Sequence, residues 1–88
     1  MYNILVCDDE KDIVSALEIY LGSEGYQVYS AYNGREALDV LGREEIHLVL
    51  LDLMVPLMDG MSAMIEIRKK SNVPVILLTA RDAVMDKV

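Results

Sequence analysis

The run from Ile46 to Leu51 is almost wholly apolar and stops at Asp52. A strand without polar alternation has both faces covered, and that arrangement belongs to parallel sheets flanked by helices. This one segment therefore constrains the fold more than any other. The rest of the chain supplies the flanking helices. Ile4-Leu5-Val6-Cys7 is a short apolar run closing on Asp8-Asp9-Glu10. From Lys11 to about Glu24, Ile13, Leu17 and Leu21 recur at helical spacing with Val14 and Tyr20 beside them, and Gly22 and Gly25 mark the end. Gln27 to Ala31 reads as a second strand. Asn33-Gly34-Arg35-Glu36 has the spacing of a capping box, opening a helix with Ala37, Leu38 and Leu41 that closes near Gly42.

Beyond Asp52, the stretch from Leu53 to Gly60 carries loop signals in Pro56 and Asp59-Gly60. Met61 to Lys70 is helical, with Met61, Met64, Ile65 and Arg68 in register, until Asn72 and Pro74 break it. Val75-Ile76-Leu77-Leu78 forms a fourth apolar strand ending at Thr79. The order β-α-β-α-β-α-β with short connections predicts a doubly wound parallel sheet with right-handed crossovers. Arg81 to Val88 read as a helix start without a stop signal. A pure Val-Ile-Leu-Leu strand suits the interior of a sheet better than its edge, so residues 1–88 are expected to be part of a longer domain.

Composition narrows the function. With 53% apolar residues the chain is too hydrophobic for disorder. Fifteen acidic against eight basic residues give a net charge of −7 and no basic stripe, which disfavours direct contact with nucleic acid. One cysteine excludes an internal disulfide and fits a reducing, cytoplasmic setting. No apolar run reaches membrane-spanning length, and the N-terminus lacks the pattern of a signal peptide. Cys7 reads as core, His47 as a surface or interface residue, the tyrosines as half-buried margins and the methionines as gap-filling core.

In open α/β sheets ligands bind beyond the carboxyl ends of the strands. There the sequence places Asp8 and Asp9 after strand one, Asp52 after strand three and Thr79 after strand four. If strands one and three are neighbours, three carboxylates share one crevice. They repel, and a hard divalent cation such as magnesium is the natural partner for an all-oxygen donor set. No histidine or cysteine cluster favours zinc. A carboxylate beside such an ion can attack a phosphoryl group and form an acyl phosphate.

Three stretches in order carry a specific resemblance: Asp8-Asp9-Glu10 after a strand, LDLMVPLMDG from Leu51 to Gly60, and VPVILLTA from Val73 to Ala80. Together they resemble the receiver domain of bacterial two-component response regulators, over the whole chain. The LDLMVPLMDG stretch is most similar to the subfamily whose output is a winged-helix DNA-binding domain. The resemblance implies a flavodoxin-like sheet in the order 2-1-3-4, with a fifth strand and last helix expected beyond residue 88. It implies Asp52 as phosphoacceptor, Asp9 as direct Mg2+ ligand, Asp8 as a ligand acting mainly through water, the Met54 backbone carbonyl as a further ligand, and Thr79 as a switch hydroxyl. Pro56 and Gly60 would shape the loop after the acceptor. A sensor histidine kinase is the implied phosphoryl donor, and DNA would be reached only through an output domain absent from these residues.

The family also uses a lysine and a switch aromatic beyond the fourth strand. No lysine here matches: Lys69 and Lys70 fall on the third helix, and Lys87 follows strand four too closely. Two other readings compete with the signalling module. A magnesium-dependent phosphohydrolase with an aspartate nucleophile usually sets that residue at the end of strand one in an Asp-x-Asp spacing, whereas here the acids are adjacent. A fragment without phosphate chemistry, self-associating through an exposed strand edge, is the third.

Overall fold

The structure is a computed structural model that describes residues 1–52 and 60–78. The elements run β1 (Asn3–Cys7), α1 (Lys11–Ser23), β2 (Gln27–Ala31), α2 (Gly34–Arg43), β3 (Leu48–Asp52), α3 (Gly60–Lys70) and β4 (Val75–Leu78). All strand pairs are parallel and the sheet order is β2-β1-β3-β4. The chain steps from β1 outward to β2, then crosses back over β1 to β3. That reversal places α1 on one face of the sheet and α2 and α3 on the other, as a constant crossover hand requires.

Alternation along β1 feeds the two faces separately, because successive side chains in a strand point to opposite sides. Ile4 and Val6 pack with Val14 of α1, and Leu17, Leu21, Val28, Leu48 and Leu50 close around them. Leu5 and Cys7 point the other way, into a larger cluster with Ala37 and Val40 of α2, Ala63 and Ile67 of α3, and Val49 and Leu51 of β3. The sheet is thus sandwiched, and the near-continuous apolar strands follow from it. On the α1 face, Leu50 pairs with Ile76 of β4, which is 50% exposed. Among the described residues β4 is an edge of the sheet.

Local signals explain the element ends. After α1, Gly25 adopts φ +94°, and Tyr26 N–H donates to the Leu21 carbonyl while Gly25 N–H donates to that of Gly22. This is a Schellman motif, which needs a left-handed residue that glycine supplies without a Cβ clash. At α2, Asn33 Oδ1 accepts from Glu36 N–H (2.9 Å) as the capping spacing predicts, while Glu36 Oε1 accepts from Tyr32 N–H (2.8 Å), one residue ahead of the N-cap amide that a capping box would use. Past α3, Arg68 Nη1 donates to the Val73 carbonyl (2.6 Å) and Val73 N–H to Ser71 Oγ (3.0 Å), which fixes the turn into β4.

Three expectations are corrected. The third strand begins at Leu48, not Ile46: Asn3 N–H donates to the His47 imidazole where a ladder would supply a backbone carbonyl, so the paired register starts at Ile4–Leu48. Tyr2 and Tyr20 are exposed at 65% and 63%, so half-burial describes Tyr29 and Tyr32 but not these two. Met1 is likewise exposed, whereas Met64 packs against the larger core.

Candidate functional site

The crossover reversal lies between β1 and β3, the place where an open α/β sheet forms its crevice. Cys7 pairs with Leu51 at the end of the β1–β3 ladder, so the next residues, Asp8 and Asp52, emerge side by side. Carboxylate oxygens of Asp8, Asp9 and Asp52 all lie within 4.8 Å of one another. Asp8 and Asp52 are buried, at 2% and 8% exposure, while Asp9 is exposed.

Backbone contacts set Asp8 in place. Its N–H donates to the Ala31 carbonyl at the end of β2 (3.1 Å), and its Oδ1 accepts from Glu10 N–H (2.9 Å). The second contact is an Asx turn: it swings Asp9 outward and delivers the chain into α1. Neither acid caps α1 by a side-chain bond, since the N-cap residue is Glu10 and makes none. Burial pushes the Asp8 carboxyl above the usual carboxylate range; the Glu10 amide opposes this, and the negative charges of Asp52, Asp9 and Glu10 add to the rise. Cys7, directly behind the cluster, has its thiol pushed up to about 12 by burial and by Asp52, Asp8, Glu36 and Asp9. It is a neutral core residue whose Sγ donates to the Asn33 carbonyl (3.4 Å).

The structure therefore brings together three of the five residues expected at the site. Met54 and Thr79, like Pro56 and the expected helix start at Arg81, lie outside the described residues. Sequence reasoning missed three contributors. The Ala31 carbonyl and Glu10 amide position Asp8, and Glu36, in the first turn of α2, adds its negative charge to those that raise the Cys7 thiol behind the cluster. The Asn33–Glu36 capping spacing was the available signal for the latter.

Chemically the cluster is an all-oxygen donor set, two thirds buried, whose charges oppose one another. Such a set fits a hard divalent cation, whose charge would offset the mutual repulsion of the three carboxylates. It offers no nitrogen or sulfur ligand in the group itself, which is the donor chemistry of magnesium rather than zinc.

Residues 4–88 match the family described as the response regulator receiver domain. Among solved structures, the chain is 39% identical to the response regulator TrrA of Thermotoga maritima in complex with Mg(2+)-BeF, covering 100% of this chain and 77% of that one with a TM-score of 0.87. It is 43% identical to a chain in the crystal structure of histidine kinase ThkA in complex with TrrA, with 91% and 70% covered and a TM-score of 0.84. It is 33% identical to the BeF3-activated N-terminal receiver domain of Klebsiella pneumoniae RstA, with 96% and 72% covered and a TM-score of 0.85. The chain belongs to the response regulator receiver domain family. No helix among the described residues is long and apolar enough to cross a membrane.

Proposed function

We propose that this chain is a signalling phosphoacceptor in which Asp52 receives a phosphoryl group from a sensor histidine kinase. The observation that carries the reading is the convergence of Asp8, Asp9 and Asp52 at the crossover reversal. A carboxylate oxygen of Asp52 forms an O–P bond as the N–P bond of the donor phosphohistidine breaks. The product is an acyl phosphate, and the departing imidazole is left neutral once its proton balance is met by solvent. Asp9 serves as a direct ligand of Mg2+ and Asp8 holds it mainly through water, with Asp52 itself and the Met54 carbonyl completing the protein's share. The ion, when bound, neutralises charge on the phosphoryl oxygens. Thr79 donates its hydroxyl to one of those oxygens.

Support for the partner and the ion comes from relatives: TrrA occurs in complex with a histidine kinase and with Mg(2+)-BeF. The protein acts stoichiometrically as a switch, not as an enzyme turning over small phosphate esters. Its adjacent acids and its acceptor on β3 depart from the phosphohydrolase pattern. Residues 1–88 belong to a single receiver domain whose output is transcription regulation in the cytoplasm, through a winged-helix domain that contacts DNA. The LDLMVPLMDG stretch supports that subfamily. Among the described residues β4 is an apolar edge with Ile76 half exposed, which supports self-association.

The test is incubation of the chain with magnesium and acetyl phosphate, read by intact mass. One added phosphoryl group is expected, abolished by Asp52→Asn. Labelling that survives the substitution assigns the acceptor elsewhere, and sustained release of inorganic phosphate at many turnovers returns the hydrolase reading.

A further inference from the structure

The opposite end of the sheet carries a second polar assembly, remote from the acidic cluster. Asn3 N–H, the first donor of β1, has an imidazole as its partner: it donates to His47 Nδ1 at 2.9 Å. His47 N–H returns a bond to the Asn3 carbonyl at 2.8 Å, and Asn3 Nδ2 donates to the Glu45 carbonyl at 2.6 Å. The ring also takes the edge of Tyr2, with centroids 5.4 Å apart and planes at 88°. The imidazole thus stands in for a backbone acceptor and closes the first rung between β1 and the segment leading into β3.

An acceptor nitrogen has a bare lone pair, so the neutral ring carries its proton on Nε2. When Nδ1 takes a proton, two donors face each other and the Asn3 bond is lost. Water reaches the ring, since the His47 side chain is 34% exposed and, with Tyr2, Leu21 and Tyr26, lines a cavity of about 440 Å³. Among the described residues, the titratable groups facing it are few. Glu45 Oε2 lies 3.8 Å from Nε2, Tyr2 precedes β1, and Tyr26 precedes β2; α1 contributes only the apolar Leu21.

We propose that His47 is a proton-sensitive clasp that joins the N-terminal ends of β1 and β3 while Nδ1 is bare and releases them when the ring is protonated. Release frays residues 1–3 and 45–47 and leaves the ladder from Ile4–Leu48 onward intact.

NMR of the full chain tests this, following the Asn3 amide and the His47 Cε1–H from about pH 7.5 to about pH 5, the range in which imidazoles titrate. The Asn3 amide is expected to move upfield on the same midpoint as the ring. Its exchange protection, corrected for intrinsic rates, falls about 5-fold, as loss of one ordinary hydrogen bond implies, while Val49 and Leu50 hold theirs. In His47→Asn the side-chain carbonyl offers an acceptor at the same branch position and cannot titrate, so the Asn3 response disappears. Glu45→Gln keeps the response, because the Asn3 bond goes to Nδ1 and Glu45 lies near Nε2. A flat Asn3 amide during ring titration overturns the clasp, as does an unchanged response in His47→Asn or a vanished one in Glu45→Gln.

Discussion

Replacing Asp8 by Asn keeps the side-chain shape and the Oδ1 acceptor that takes Glu10 N–H, and removes one charge from a crowded cluster. Two unit charges 4.8 Å apart, the outer limit of the group, repel by about 3.5 kcal/mol at an effective dielectric of about 20 and about 0.9 kcal/mol in bulk water. Asp8 is buried and Asp9 exposed, so the relief lies between these limits: Asp8→Asn should stabilise the metal-free chain by about 1–3 kcal/mol. The pH dependence follows from the sign of the shift. The folded Asp8 carboxyl binds its proton more tightly than an unfolded one, whose value is 3.8. Asp8 therefore adds stability in acid and loses it as pH rises through the raised folded value. Parent and variant should converge at low pH and separate toward neutrality. Urea unfolding in EDTA, with midpoints compared at unchanged slope, reads this directly. With magnesium the order reverses in response: the parent gains about 2.7 kcal/mol at a hundredfold excess over its dissociation constant, and Asp8→Asn gains much less. A variant no more stable than the parent in EDTA at neutral pH would refute the claim that these carboxylates repel one another.

Other changes probe the scaffold under the site. Leu5→Ala empties a fully buried position in the larger core and should cost about 2–5 kcal/mol, seen as a lower urea midpoint. Asn33→Ala removes the oxygen that accepts Glu36 N–H and should cost about 1 kcal/mol, with Asn33→Ser recovering most of it. Cys7, its thiol pushed up to about 12 and fully buried, should resist thiol reagents at neutral pH in the folded chain and react at the rate of unfolding.

Much of the architecture was legible because its signals are local. The limits of Gln27–Ala31 and Val75–Leu78 follow from apolar runs and their punctuation, and the Asn33–Glu36 spacing announced the cap found there. What sequence periodicity could not supply was adjacency. Alternation of strands and helices implies a doubly wound sheet, but the neighbour relation of β1 and β3, on which the acidic cluster depends, came from the family resemblance. The third strand was read two residues too long because Ile46 continues the apolar run and His47 alone does not punctuate it. The bond that ends the ladder there is between the His47 side chain and Asn3, forty-four residues away in sequence. Asp8 shows the same limit: its acidity is readable, whereas its anchoring by the Ala31 carbonyl is tertiary. Tyr20 fell beside the helical stripe on paper, yet the buried stripe of α1 is Val14 with Leu17 and Leu21.

The central claim is that one hard cation binds among Asp8, Asp9 and Asp52. Amide NMR of the chain titrated with magnesium tests it most directly. Saturable shifts should concentrate at residues 8–10 and at Asp52, leave Asn3 and His47 in place, and vanish in Asp9→Asn. Shifts spread evenly over the acidic surface, or an unaltered titration in that variant, would contradict it.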